Sequence, residues 1–268
     1  MSRTRRGFRL AGVSWQVLVA EPVILVVLFA GMVASLAMSG GLFLLLFRRP
    51  PTADDLQFPN YLIALPVLWI GSLATCYCRV AVSVITDRRL RGEDSKVSDG
   101  TEVATARLHR IVSWTLLSMA VALLLQVIAE RFRLGGVIAS RLFGLAWGLA
   151  TTFVIPVLAL EDVGVRDALK RSTSIFKAKW GETVVAQGTV GLAVFIVALP
   201  LVAVVGGLFA VSVPVGIVAA VVVLVPMMVI SGALDAVVDV ALYRYAVDGV
   251  VLGAFTAEDL NGSFRRKS

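Results

Sequence analysis

Long apolar runs broken by short charged segments organise the whole chain. A helix crosses a bilayer with about 20 apolar residues, and six runs are of that order: Pro22–Phe47, Tyr61–Val84, Ile111–Ile128, Leu142–Leu160, Thr183–Leu208 and Val213–Leu234. From Thr183 to Leu234 there are 52 residues without Asp, Glu, Lys or Arg, which no globular core requires and which accommodate two spans with a turn. The last helix is expected to continue past the hydrocarbon towards Tyr245. Pro50-Pro51, Gly135-Gly136 and the segment from Gly206 to Pro214 break the chain between paired spans. The pattern predicts an all-α polytopic membrane protein, six transmembrane helices as three helical hairpins, with cytoplasmic interfacial amphipathic helices. It reads as a single integral membrane domain over 1–268: a cytoplasmic segment 1–21, hairpin 22–84, loop 85–110, hairpin 111–160, amphipathic helix 161–182, hairpin 183–245 and tail 246–268.

Composition agrees, with 58% hydrophobic residues and a mean hydropathy of +0.89. The net charge of +7 is informative through its distribution. Lys and Arg number 4, 7, 5 and 4 in the N-terminus, residues 79–110, residues 166–179 and Arg244 with the tail, against 2, 3 and 0 in the alternate segments. Cationic segments stay in the cytoplasm, so both termini are expected inside, as an even number of spans also demands. The expected location is a bacterial inner membrane, and nucleic acid is not an expected partner. Four arginines precede a first run of 26 uncharged residues, too long for the usual signal core of about 7–15, so an uncleaved first span is the expectation.

Each odd-numbered span follows a basic stretch ending in Trp, at Ser14-Trp15, Ser113-Trp114 and Lys179-Trp180; the second and third stretches open with Val-x-Asp, at Val97–Asp99 and Val165–Asp167. This suggests three units, each an interfacial helix followed by a hairpin, or else three unrelated aromatic anchors at headgroup level. In the third stretch, at 100° per residue, Val165, Leu169, Ser172, Phe176 and Trp180 form one stripe. Arg166, Asp167, Lys170, Arg171, Ser174 and Lys177 take the rest of the circumference, with Lys179 at the edge. That describes a helix lying in the inner interface, apolar face down. Its plain role is a positive-inside anchor. The sharper one is a surface for anionic lipid or a phospho-ligand, with Arg166, Lys170, Arg171, Lys177 and Lys179 binding and Phe176 and Trp180 anchoring.

Ionisable residues at depth are functional candidates. Asp235 and Asp239 lie one turn apart, but Asp235 is 22 residues from Val213, about 33 Å at 1.5 Å per residue, at the inner boundary. Arg79 lies at matching depth, so an Arg79–Asp235 or Arg79–Asp239 ion pair or gate is expected there. Arg141 falls at the outer boundary. Ser140, Gly144, Gly148 and Thr152 recur every four residues, the small-residue spacing that lets helices pack closely, within the bundle or between subunits. Pro66, Pro156, Pro200 and Pro226 interrupt spans and free backbone carbonyls.

Cys76 and Cys78 point about 200° apart around their helix and read as small buried hydrophobes rather than metal ligands. One histidine, His109, sits in a basic stretch. No Ser–His–Asp set, HExxH, GxSxG or P-loop is present, so an enzyme would depend on Asp235, Asp239, Glu161 and Asp162 alone. Neither catalytic residues nor a metal or cofactor are expected.

Five stretches carry a resemblance: "RRGFRLAGVSWQVL", "RRLRGEDSKVSDG", "FVIPVLALEDVGVRDALKRSTSIFKAKWGE", "ALYRYAVDG" and "GAFTAEDLNGSFRRK". Over nearly its whole length the chain resembles an uncharacterised bacterial family of six-helix membrane proteins, a domain of unknown function. The Ala-Leu-Lys-Arg-Ser…Phe-x-x-x-Trp stretch is also similar to segments of the membrane domain attached to some glycerophosphodiester phosphodiesterases, whose catalytic barrel has no counterpart here. Neither resemblance implies an activity. The leading expectation is a non-enzymatic membrane component that engages anionic phospholipid or a partner protein, with homo-oligomers open. The alternative is a small-solute or ion transporter or channel, with Arg79, Asp235 and Asp239 at the cytoplasmic mouth.

Overall fold

Pro22 opens the first long helix, where its fixed φ suits a first turn and its missing N–H is not needed. A computed structural model describes residues 12, 14–19, 21–48, 52 and 61–250, with 61–63, 133–134, 178–190 and 193 described by backbone only. The long elements are α1 (Pro22–Phe47), α2 (Tyr61–Leu90), α3 (Val97–Ala106), α4 (Leu108–Arg131), α5 (Arg133–Thr151), α6 (Val154–Leu160), α7 (Val165–Val211) and α8 (Val213–Asp248). No strand occurs among the described residues. Six stretches are long and apolar enough to cross a membrane: Pro22–Phe47, Ala64–Leu90, Leu108–Arg131, Gly135–Leu160, Val194–Val211 and Val213–Asp248. Between 11% and 39% of each apolar window is buried inside the protein. Side chains such as Leu45, Phe143, Val197 and Val222 therefore stand outside it, and hydrocarbon is the solvent that accommodates them. The chain is a multi-pass membrane protein.

Helix ends and hydrocarbon ends do not coincide. The charged run after Val84, expected as loop, stays helical to Leu90. It stops at Gly92, whose φ of +80° only glycine adopts without strain. There the Glu93 N–H donates to Arg88 O (3.0 Å) and the Gly92 N–H to Arg89 O (2.9 Å), the paired bonds of a left-handed helix cap. The expected separation of an amphipathic helix from the fifth span is likewise absent, because α7 runs unbroken through both for 47 residues. The helix towards Tyr245 is present and ends at Gly249, with φ +67°.

The chain forms two compact units, one of residues 1–29, 85–96 and 175–268, the other of residues 30–84 and 97–174. In the second unit α1 and α2 approach closely and antiparallel. A Cβ on Gly31 would overlap Cys78, and one on Gly71 would overlap Ser39 Oγ. Ser35 Oγ donates to Gly71 O (2.9 Å), and Thr75 Oγ1 donates to Ser35 Oγ (3.3 Å). Next, α4 and α5 pack antiparallel, with Trp114 stacked on Trp147 at 6.0 Å between ring centres. Trp69 Nε1 donates to Thr115 Oγ1 (3.1 Å), tying α2 to α4. In the first unit the turn from α7 to α8 is tight enough that a Cβ on Gly216 would overlap the Phe209 ring.

The most deeply buried runs lie where the basic residues are. In the second unit these are Val80–Ala81–Val82 and Phe153–Ala159; in the first, Ile85 and Ala236–Tyr243 with Asp239 half-buried among them. Within each unit protein packs on protein at these runs, and the exposed apolar side chains are left to lipid.

Candidate functional site

In the second unit α3 and the start of α7 are each hooked to the span before it. The helix α3 starts at Val97 and α7 at Val165, so both Val-x-Asp stretches do begin helices. Each buries its fourth and eighth residues, Gly100 and Ala104 in α3, Ala168 and Ser172 in α7. The hook on α3 is Tyr77, whose hydroxyl meets Thr101 O (3.1 Å) and Thr105 Oγ1 (2.8 Å).

The hook on α7 is Ser172, and it corrects the expected orientation of this segment. Pro156 has no N–H for Thr152 O, and its ring crowds that carbonyl, so the helical path breaks between Thr151 and Val154. The break frees the Phe153 N–H and Ala150 O. Ser172, 0% exposed, accepts from Phe153 N (3.1 Å) and donates to Ala150 O (2.7 Å). Lipid could satisfy neither group. The stripe expected to lie on lipid therefore faces protein at Ser172, with Ala168 and Ile175 buried beside it and Val165, Leu169 and Phe176 half-buried.

The basic residues point the other way. Arg166, Lys170, Arg171 and Lys177 are exposed. Arg171 Nε reaches Glu161 (3.2 Å), and Lys170 Nζ is 3.4 Å from Asp167. At 100° per residue Arg166, Lys170 and Lys177 fall within an arc of about 40°, while Arg171 sits apart on its carboxylate. The side chains of Lys179 and Trp180 lie outside the described residues. Around the turn before α7, Arg107 donates to Leu158 O (2.6 Å), capping an end-of-helix carbonyl. Burial pulls the Arg107 pKa below the usual guanidinium range, opposed by Asp162. Arg110 bonds Asp162, and that bond, with the Arg110 charge, holds the exposed Asp162 carboxyl below its ordinary pKa.

In the first unit an ion cluster joins three stretches of chain. Asp87 of α2 receives Arg244 of α8 through two bonds, Nε to Oδ1 (2.6 Å) and Nη2 to Oδ2 (2.8 Å), with side-chain exposures of 9% and 15%. Arg91 lies 3.2 Å from Asp87, and Arg244 also reaches Asp248 (3.0 Å). Two residues on from Asp87, Arg89 pairs with Glu21 (3.2 Å) and Asp94 (2.9 Å) and donates to Ser95 O (3.1 Å).

Sequence reasoning chose different charges. Arg79 is half-buried on α2 in the second unit; Asp235, exposed, and Asp239, half-buried, stand on α8 in the first. Asp87 was passed over because it stood among arginines in an expected loop, although it is the one acidic residue of α2. Of the ladder on α5, Gly144 faces Leu125, with 3.8 Å to an added Cβ, and Gly148 faces open space. Ser140 and Thr152 bond carbonyls of their own helix, Val137 O and Gly148 O. The close helix approach is instead at Gly31, Ser35 and Ser39 against Gly71 and Thr75, which show the same four-residue spacing. Trp114 is 8% exposed and packs on Trp147, whereas Trp15 is 47% exposed, so the two do not share an anchoring role. Cys76 is buried and Cys78 half-buried, both unpaired with each other. Among the described residues no group of three His, Cys, Asp or Glu is placed to hold a metal.

A family model, described as a family of unknown function (DUF6159), matches residues 60–253. That range contains the stretches from "RRLRGEDSKVSDG" to "ALYRYAVDG", while "RRGFRLAGVSWQVL" precedes it. No curated protein and no solved structure is significantly similar to the chain.

Proposed function

Since the chain belongs to the DUF6159 family of unknown function, we propose its role from the site: a non-enzymatic multi-pass protein of a bacterial inner membrane, both termini cytoplasmic, that holds anionic phospholipid headgroups at its basic end. The carrying observation is the division of labour around α7. Its Ser172 side is docked on protein, and Arg166, Lys170 and Lys177 are displayed on one exposed arc. A stripe carried on a docked helix presents its charges on one side without ordering the backbone on each encounter. Each basic side chain beside an anionic leaflet contributes about 1 kcal/mol, so Arg166 and Lys177 contribute about 2 kcal/mol, or roughly 30-fold in affinity, and Lys170, 3.4 Å from Asp167, adds less than a full charge. Arg171, held by Glu161, contributes less than its charge suggests.

The test is native mass spectrometry of protein extracted gently from its own membrane, comparing wild type with Arg166→Gln/Lys170→Gln/Lys177→Gln. Retained anionic lipid should fall steeply in the triple variant and persist in a control carrying Arg131→Gln/Arg141→Gln. Equal retention in all three removes the proposal. A protein subunit lost with the stripe, lipid unchanged, would make the occupant a partner protein.

The transport reading draws on Asp239, half-buried between Val238 and Val240, which are 2% and 0% exposed. A solute flux abolished by Asp239→Asn, beside unchanged lipid retention, would put that reading first, with Arg79 and Asp235 as the next positions to neutralise.

A further inference from the structure

Arg89, Arg107, Arg110, Arg171 and Arg244 each bond a carboxylate or a backbone carbonyl. Arg79 of the second unit is half-buried, yet among the described residues nothing accepts a hydrogen bond or an ion pair from its guanidinium. It stands 15 residues past Ala64, where the apolar stretch of α2 begins, about 22 Å into a hydrocarbon layer about 30 Å thick. A charge at that depth calls for a partner, and the surroundings put the partner on the lipid side. At 100° per residue Leu68, Ser72 and Thr75 lie within about 40° of Arg79, and all three are exposed. The Ser72 and Thr75 hydroxyls donate to Trp69 O and Gly71 O, so the guanidinium is the group on this stripe left unsatisfied. Past Arg79 the helix is covered, with Val82 0% and Ser83 3% exposed. Arg79 thus marks the lip where α2 passes from lipid contact to protein contact.

We infer that Arg79 holds the phosphate of a phospholipid whose chains lie along Leu68, Ser72 and Thr75. The open approach to the guanidinium runs along that stripe, and the anionic group at hand there is a lipid phosphate. The long side chain snorkels while the phosphate is drawn inward, and the planar fork matches two phosphate oxygens. A single cation recognises the phosphodiester itself, so a zwitterionic phospholipid suffices. That separates this site from the arc on α7, which needs surplus negative charge, and the inference does not rest on the arc.

The test is native mass spectrometry of the full-length protein, delipidated in detergent and titrated with phosphatidylcholine or with diacylglycerol of the same chains. Wild type should hold phosphatidylcholine and release diacylglycerol. Arg79→Gln should weaken phosphatidylcholine binding by about tenfold or more, the loss of a charge-assisted bond. The variant Arg166→Gln/Lys170→Gln/Lys177→Gln should bind it as wild type does. Equal binding by wild type and Arg79→Gln overturns the site, and so does diacylglycerol held as tightly as phosphatidylcholine. Millimolar inorganic phosphate that displaces the lipid from wild type, but not what little Arg79→Gln retains, makes the occupant a free anion and overturns the lipid assignment. Ser72→Trp covers the approach from an exposed position and should also lower binding with Arg79 intact. Unchanged binding there overturns the assignment even where Arg79→Gln fails to fold.

Discussion

Ser172→Ala isolates the hook that seats α7. The substitution removes one oxygen, creates almost no cavity and leaves a strong helix former in place. What it strands is the Phe153 N–H, buried at the Thr151–Val154 break, together with Ala150 O. A buried unsatisfied backbone group costs about 1–3 kcal/mol. Thr173 Oγ1 already stands 3.5 Å from Ala150 O and covers part of the loss, so the expected cost is about 2–3 kcal/mol rather than the sum for two groups. At about 2–4 °C per kcal/mol for a chain of this size, thermal unfolding in detergent should fall by about 5–10 °C. Ser174→Ala, about half a turn around on the exposed face, should move it by no more than about 1–2 °C. The cycle with Pro156→Ala is sharper. Restoring an N–H at 156 lets the helix heal and offers Phe153 a helical acceptor, so losing Ser172 should cost less in that background. A Ser172→Ala variant that melts with wild type, or costs as much with Ala at 156, would refute the hook.

Four further outcomes are expected. Gly71→Leu drives a side chain into Ser39 and Ser35 and should destabilise by about 1–3 kcal/mol from overpacking, against little change for Gly148→Leu, where the space is open; chemical denaturation in mixed micelles reads both. Tyr77→Phe removes the hydroxyl held by α3 and should cost about 1 kcal/mol, with faster hydrogen exchange confined to Val97–Ala106. Gly92→Ala puts a Cβ on a left-handed cap and should cost about 1 kcal/mol, read as a lower melting temperature. The carboxyl pKa of Asp162 is depressed by Arg110, so the pair's contribution is present above the ordinary carboxylate range and disappears as pH falls through the lowered value; Arg110→Gln should return the Asp162 pKa, followed by carboxyl NMR, towards about 3.9.

The membrane class was legible because it rests on length and hydropathy, and these need no knowledge of partners. Six expected runs meet six apolar helices, and Val-x-Asp marks two helix starts at Val97 and Val165. Helix ends were less legible, since the limit of hydrocarbon was taken for the limit of the helix. Charged Arg88 and Arg89 continue α2, and the stop comes from the backbone of Gly92. That shift of a few residues moved Asp87 out of a loop and into the packed end. Ser172 was placed on the right stripe with the wrong neighbour, because a helical wheel gives direction and not what lies there. The small-residue spacing on α5 was a true pattern, but the same pattern on α1 and α2 carries the closer contact. Which of two equal stripes meets a neighbour is settled by packing that the wheel does not contain.

The hooks also imply an order of assembly. Tyr77 reaches only 24 and 28 residues forward, and Ser172 reaches 22 and 19 residues back. Each can close soon after its own stretch leaves the ribosome, before any later span has been made. The bond between Asp87 and Arg244 spans 157 residues and must wait for the end of the sixth helix. Until then Asp87 has Arg91 one turn away, so a nascent chain need not hold a naked carboxylate at the membrane while the rest is synthesised. The local partner beside the finished link is thus also the chaperone of its unfinished half.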